Sequence, residues 1–208
     1  MRRTIFCATF LAALFAAEAS AGVVYSNTLT DTLDTVFFSV GPYSGLGDQV
    51  LLAPGDRFAT GANVQFFNNG EDGTFDAILR LYQVGSPVGA QIGSDFTVAG
   101  ISAPALGVFN VAFDTANTVV PDELIFLVYL TNATAGLDLG LNMFEPPTVG
   151  SSDNTFMLRD AGGFAQLGTN AENVYFELDA STPEPGTFAM LGGGLLAAIL
   201  AGRRRLHS

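Results

Sequence analysis

The chain has 208 residues, of which 49% are hydrophobic and 13% charged, with 24 Gly and 18 Phe, a composition that excludes a disordered tail and a coiled coil. Its formal charge is -12, with 20 acidic residues against 8 basic ones and no Lys, so nucleic acid as a partner bound through bulk charge is excluded. The length admits one domain of about 160 residues with short appendages, and no second domain.

Met1, Arg2 and Arg3 lead an apolar run from Ile5 to Ala17, and Ala19-Ser20-Ala21 precede Gly22. Charged, apolar and small-residue zones in this order predict a secretory signal peptide over 1–21, cleaved after Ala21 with Ala19 and Ala21 at the recognition site, and hence the secretion machinery as a first partner. Cys7 lies inside the leader. Cleavage therefore leaves an exported chain with no cysteine for disulfide or thiol chemistry.

From Gly22 to Thr182 the dominant period is two. Phe75, Ala77, Leu79 and Leu81 share one face of a strand over Thr74 to Tyr82, while Thr74, Asp76, Arg80 and Tyr82 lie on the other with Ile78. The same alternation marks Ala62, Val64, Phe66; Phe109, Val111, Phe113; Leu137, Leu139, Leu141, Met143; and Val174, Phe176, Leu178. Leu124 to Leu130 is continuously apolar, as a central strand covered on both faces would be. Weaker strands fit Val23 to Ser26, Val36 to Val40, Gln49 to Leu52, Phe96 to Ala99 and Thr155 to Arg159. Turn chemistry separates them at Gly41-Pro42, Pro54-Gly55-Asp56, Asn68-Asn69-Gly70, Gly85-Ser86-Pro87, Pro121-Asp122 and Gly162-Gly163. No stretch of this region has a convincing helical period. The expectation over 22–182 is an all-β extracellular domain, an antiparallel two-sheet sandwich of jelly-roll-like kind whose strand order cannot be read.

Chemistry in this domain is narrowed by what it lacks. Without Glu18, Glu184 and the five terminal arginines, 18 acids face Arg57, Arg80 and Arg159, a net charge of -15. His207 is the sole histidine and lies in the tail, so the domain has no His, Cys or Lys. A Ser-His-Asp or Cys-His site cannot be built, nor can imidazole or thiolate zinc ligation. Carboxylate chemistry survives, but with 18 acids some glycosidase-like pair is always available, so composition singles out none. Trp, the commonest sugar-stacking side chain, is absent, leaving Tyr25, Tyr43, Tyr82, Tyr129 and Tyr175 to substitute.

The expectation is no cofactor, with calcium the metal that the many oxygen donors of this domain suit. Asn68, Glu71, Asp72 and Asp76 crowd oxygens into one loop, yet Leu79 stands where an EF-hand places its bidentate Glu. A solvated hairpin turn explains the same residues. Asp31 with Asp34, and Asp48 with Asp56, are weaker pairs of the same kind.

The tail begins at Pro183-Glu184-Pro185, continues with an apolar run predicted as one transmembrane helix over about 187–202, and ends on Arg203, Arg204 and Arg205. The helix is short for a span, and the arginines favour a cytoplasmic C-terminus. The prolines keep Thr182 to Gly186 extended, as a processing cleft requires. These three elements over 183–208 resemble the PEP-CTERM sorting signal of Gram-negative and related bacteria. The resemblance implies recognition of Pro183, Glu184 and Pro185 by an exosortase, a membrane cysteine transpeptidase-like enzyme, in bacteria that make extracellular polysaccharide. Gly47-Asp48-Gln49-Val50-Leu51-Leu52 with Pro54-Gly55-Asp56-Arg57 resembles the start of choice-of-anchor domains, which implies an extracellular sandwich and little about activity.

The resulting expectation is an exported envelope or extracellular-matrix protein, not an enzyme, that passes through the inner membrane to the cell surface and acts there as a structural or interaction module. The alternatives are a carbohydrate-binding module for extracellular polysaccharide, calcium-dependent or not, and a carboxylate-type polysaccharide hydrolase.

Overall fold

Alternating apolar residues need a dry layer on one side only, and that demand sets the architecture. The computed structural model describes residues 21–40, 44–169 and 173–181; the expected signal peptide, Pro-Glu-Pro segment, membrane helix and arginine cluster lie outside the described residues. In chain order the strands are β1 (Gly22–Ser26), β2 (Asp31–Phe37), β3 (Gly45–Leu51), β4 (Phe58–Asn68), β5 (Gly73–Val84), β6 (Val88–Ala103), β7 (Gly107–Val119), β8 (Glu123–Thr131), β9 (Leu139–Phe144), β10 (Ser151–Asp160), β11 (Gly163–Thr169), β12 (Asn173–Val174) and β13 (Phe176–Ser181).

They form two antiparallel sheets. In the six-stranded sheet the order is β11-β10-β3-β8-β5-β6. In the seven-stranded sheet β4 pairs β7 on one edge, and on the other pairs β13 along Phe58–Val64 and β9 along Phe66–Asn68. β1 extends the sheet beyond β13, while β2 and β12 both pair with β9. Residues 21–181 make one compact unit.

The core lies between the sheets. Phe126 of β8 and Phe176 of β13 stack with ring centroids 3.9 Å apart and planes 10° from parallel. A second group joins Phe66 and Phe109 of the seven-stranded sheet to Phe75 of the facing one, at 5.4 and 6.0 Å. β8 is central, between β3 and β5. Leu124, Phe126 and Val128 point into the inter-sheet core, while Ile125, Leu127 and Tyr129 enter a second apolar cluster with Tyr82 and Met157. That outer cluster is covered in part by guanidinium groups, Arg80 lying 4.6 Å over the Tyr129 ring and Arg159 4.7 Å over Phe164. Gly47 of β3 allows close approach to β8: a Cβ there would stand 1.9 Å from the Phe126 carbonyl oxygen.

Some boundaries move. The strand expected over Val36 to Val40 ends at Phe37 and gives way to a 3-10 turn, Phe38–Val40. The short Phe96 to Ala99 strand grows to Val88–Ala103, whose pairing to β5 shifts register three times; these irregularities break the period that would have revealed its length. β11, Gly-flanked and weakly alternating, escaped the pattern altogether.

Truncating one ring of the stacked pair leaves a cavity that neither sheet can close. Phe176→Ala is expected to lose about 3–5 kcal/mol, measured as a shift of the urea unfolding curve of the purified protein.

Candidate functional site

In the loop that suggested calcium, Asn68 acts as a structural staple. Asn68 is fully buried; its Nδ2 donates to the carbonyls of Glu71, Pro104 and Ala103 at 2.7, 3.1 and 3.4 Å. Its Oδ1 accepts from the N–H groups of Gly70 and Asp138 at 2.9 and 3.2 Å. One side chain thus ties together the β4–β5, β6–β7 and β8–β9 connections. Asp72 accepts from the Ala105 N–H at 2.6 Å. Asp76 accepts from Asn132 Nδ2 at 2.6 Å and the Gly100 N–H at 2.7 Å, and those two bonds hold its carboxyl below the ordinary range. The Glu71 N–H donates to the Gly136 carbonyl. The side-chain oxygens of Asn68, Asp72 and Asp76 accept from separate donors, and among the described residues no group of three or more His, Cys, Asp or Glu is placed to hold a metal.

Of the weaker acidic pairs, Asp31 and Asp48 each have partners of their own. Asp31 accepts from the Leu33 N–H two residues on, at 2.8 Å. Asp48 projects between the sheets beside Leu46 and Val50 and is 1% exposed. Burial pushes its carboxyl well above the ordinary range; the Asp153 charge acts in the same direction, while hydrogen bonds from the N–H groups of Gln49 and Val174 oppose it. A raised carboxyl is what a general acid requires, but this one is sealed from substrate.

The exposed chemistry collects on the outer face of the seven-stranded sheet. Core positions at Val64, Phe66, Val111, Leu141, Met143 and Phe176 turn their neighbours outward, and these neighbours form a ladder. Thr35 Oγ1 donates to Asn142 Oδ1 at 2.8 Å, Asn142 Nδ2 to Gln65 Oε1 at 2.8 Å, and Gln65 Nε2 to Asn110 Oδ1 at 3.0 Å. The bonds run one way across β2, β9, β4 and β7, and Asn110 continues them to the Tyr175 hydroxyl. Burial and the Glu177 charge raise the Tyr175 phenol above its ordinary range.

Aromatic pairs flank the amides: Phe37 meets Phe67 edge-on at 6.1 Å, and Phe144 meets Tyr175 edge-on at 4.9 Å. Beside the ladder lies a depression of about 160 Å3 lined by Asp31, Leu33, Thr35, Phe67, Val108 and Asn142. Asn142 at its floor is 4% exposed, whereas Leu33 at its rim is 88% exposed and held at φ 65°. The seven strands of this sheet carry no Arg, Lys or His. Arg80 is paired bidentately with Asp95 at 2.8 and 2.7 Å, and Arg57 lies outside the strands, paired with Asp122 at 2.7 Å.

Of the tyrosines named as sugar platforms, only Tyr175 belongs to this surface; Tyr25, Tyr82 and Tyr129 are buried, and Tyr43 is outside the described residues. Gln65, Asn110 and Asn142 escaped the sequence analysis. Their signal was present, since each is a lone amide between two core positions, but which amides become neighbours depends on strand order.

Residues 181–205 match the model of the PEP-CTERM protein-sorting motif. The chain carries a PEP-CTERM sorting motif. The motif implies export, recognition by an exosortase and membrane-associated processing toward the cell surface. No curated protein matches the sequence. The domain is similar to a solved chain from Clostridium difficile comprising the cysteine protease and lectin-like domains of Cwp84, a surface layer associated protein, at 10% identity and a TM-score of 0.44. The match covers 69% of this chain and spans about a third, 33%, of the Cwp84 chain.

Two measurements follow from the polar interior. Asn68→Ala is expected to cost about 1–3 kcal/mol for the backbone groups it strands, whereas EDTA is expected to leave the thermal midpoint of the wild-type protein unchanged. For Asp48, a folded carboxyl that titrates above the unfolded one means the native state binds the extra proton. Stability is therefore greatest below the unfolded value of about 4 and declines, by up to about 1.4 kcal/mol per pH unit, until the folded value is passed. Asp48→Asn is expected to flatten that decline, with urea unfolding at several pH values showing the variant gaining on wild type from acid to neutral.

Proposed function

We propose that this protein is a non-enzymatic interaction module: exported, held transiently by its tail in the inner membrane, processed near Pro183-Glu184-Pro185 and displayed at the cell surface or in the extracellular matrix. The match of residues 181–205 to the sorting motif carries this reading. It is supported by a domain with no His, Cys or Lys whose strongly raised carboxyl, Asp48, is buried between the sheets. Pro183, Glu184 and Pro185 are then substrate residues, Arg203 to Arg205 orient the helix, and the β-domain is the cargo.

One observation favours a second, narrower reading, a carbohydrate-binding module. Amides in a hydrogen-bonded row beside aromatic rings on an open sheet face suit a ligand rich in hydroxyls, and nothing in that reading requires calcium.

Replacing Pro183-Glu184-Pro185 with three alanines in a host that makes exosortase tests the sorting step. The expected result is accumulation of full-length protein in the membrane fraction, with wild type reaching the surface without its arginine cluster by intact mass. Unchanged processing and delivery of the triple variant would refute it.

A further inference from the structure

Resting on the carbohydrate-binding reading, we propose that the depression between Leu33 and Val108, floored by Phe67 and Asn142, is the site at which the domain holds a neutral polysaccharide chain. A pyranose unit offers an apolar C–H face and a rim of hydroxyls that both donate and accept. The site supplies both complements. Phe67, Val108 and Leu33 give apolar contact, and each ladder amide has two N–H groups of which the ladder uses one.

The ladder also orients these groups before any ligand arrives. Asn142 is fixed by Thr35 on one side and Gln65 on the other, so little side-chain freedom is left to lose on binding. Its near-complete burial makes it a built floor, in contrast to a mobile surface amide. Leu33, exposed on a left-handed backbone that a leucine rarely adopts, is maintained by the Asp31 carboxylate capping its N–H. That geometry lifts an apolar wall above the sheet where folding alone gains nothing from it.

Charge selects the polymer. Asp31, Asp34, Asp114, Glu177 and Asp179 lie on the strands of this sheet with no base among them, so anionic polysaccharide is repelled. A cationic polymer would be drawn by the acids themselves, independently of the aromatic and amide groups, and its binding would collapse with salt. A neutral chain is the partner for which the apolar walls and amides, rather than net charge, determine affinity.

The test is affinity electrophoresis of the full chain in detergent through gels containing neutral glucan, mannan or galactan, with alginate and chitosan gels for comparison. Retardation by at least one neutral polymer, insensitive to salt and to EDTA, is expected, with none by alginate. Leu33→Gly relieves the backbone at an exposed position where glycine is at ease, so an unchanged urea unfolding curve is expected; Val108→Asp places a charge at an exposed wall. Both are expected to weaken retardation at least tenfold, while Thr97→Ala on the opposite sheet leaves it unchanged. Retardation by chitosan or alginate alone, or by no polymer, would overturn the proposal; so would neutral binding that survives both variants, which would move the site elsewhere on a sugar-binding module. The carbohydrate reading itself fails only when no polymer is bound, and sorting is judged separately by fractionation.

Discussion

Phe126 and Phe176 stack across the interior, one ring from each sheet, and this contact sets which side of every neighbouring strand is dry. In a pleated chain the choice at one residue is the choice at alternate residues along the strand. With Phe176 inward, Tyr175 and Glu177 face out; β4 pairs β13 in register, with Val64 opposite Phe176, so Asn63 and Gln65 face out as well. The hydrogen bond from Asn63 Nδ2 to Glu177 Oε1 at 3.2 Å is a direct product of that register. The polar face is the complement of the aromatic core, and one cannot be shifted without the other.

The two sheets solve the burial problem differently. The six-stranded sheet is apolar on both faces around β8, its outer cluster lying under guanidinium groups that also pair with acids or aromatic rings. Its bases are thereby spent on structure. The seven-stranded sheet keeps its outer face for amides, aromatic edges and acids, a surface with hydrogen-bonding capacity and no positive charge. The asymmetry leaves hydrogen-bonding groups exposed on one sheet and apolar contacts under guanidinium groups on the other.

Buried polar groups define the ends of this framework. Asn68 fastens three connections near the β4–β5 turn, where oxygen-rich residues gather. Asp48 stands between the sheets, where burial disfavours its ionised form and the backbone N–H groups of Gln49 and Val174 partly offset that cost. The loop was legible as polar and turn-forming from its residues. Its role as a staple was not, because the carbonyls that Asn68 meets come from Ala103 and Pro104, 35 and 36 residues away.

Local chemistry in the sequence was sufficient for the all-β class, for β4, β5, β7, β8, β9 and β13, and for the sorting signal, because alternation, turn residues and the order proline, apolar run, arginine are properties of consecutive residues. Composition likewise ruled out histidine, cysteine and lysine chemistry in the domain without reference to any fold. Which strands lie side by side was decided only in three dimensions, by long-range pairing that no local pattern encodes. Gln65, Asn110 and Asn142 are ordinary amides in isolation; the antiparallel registers of β4 with β7 and β9 bring their side chains within hydrogen-bonding reach, and that juxtaposition creates the candidate site.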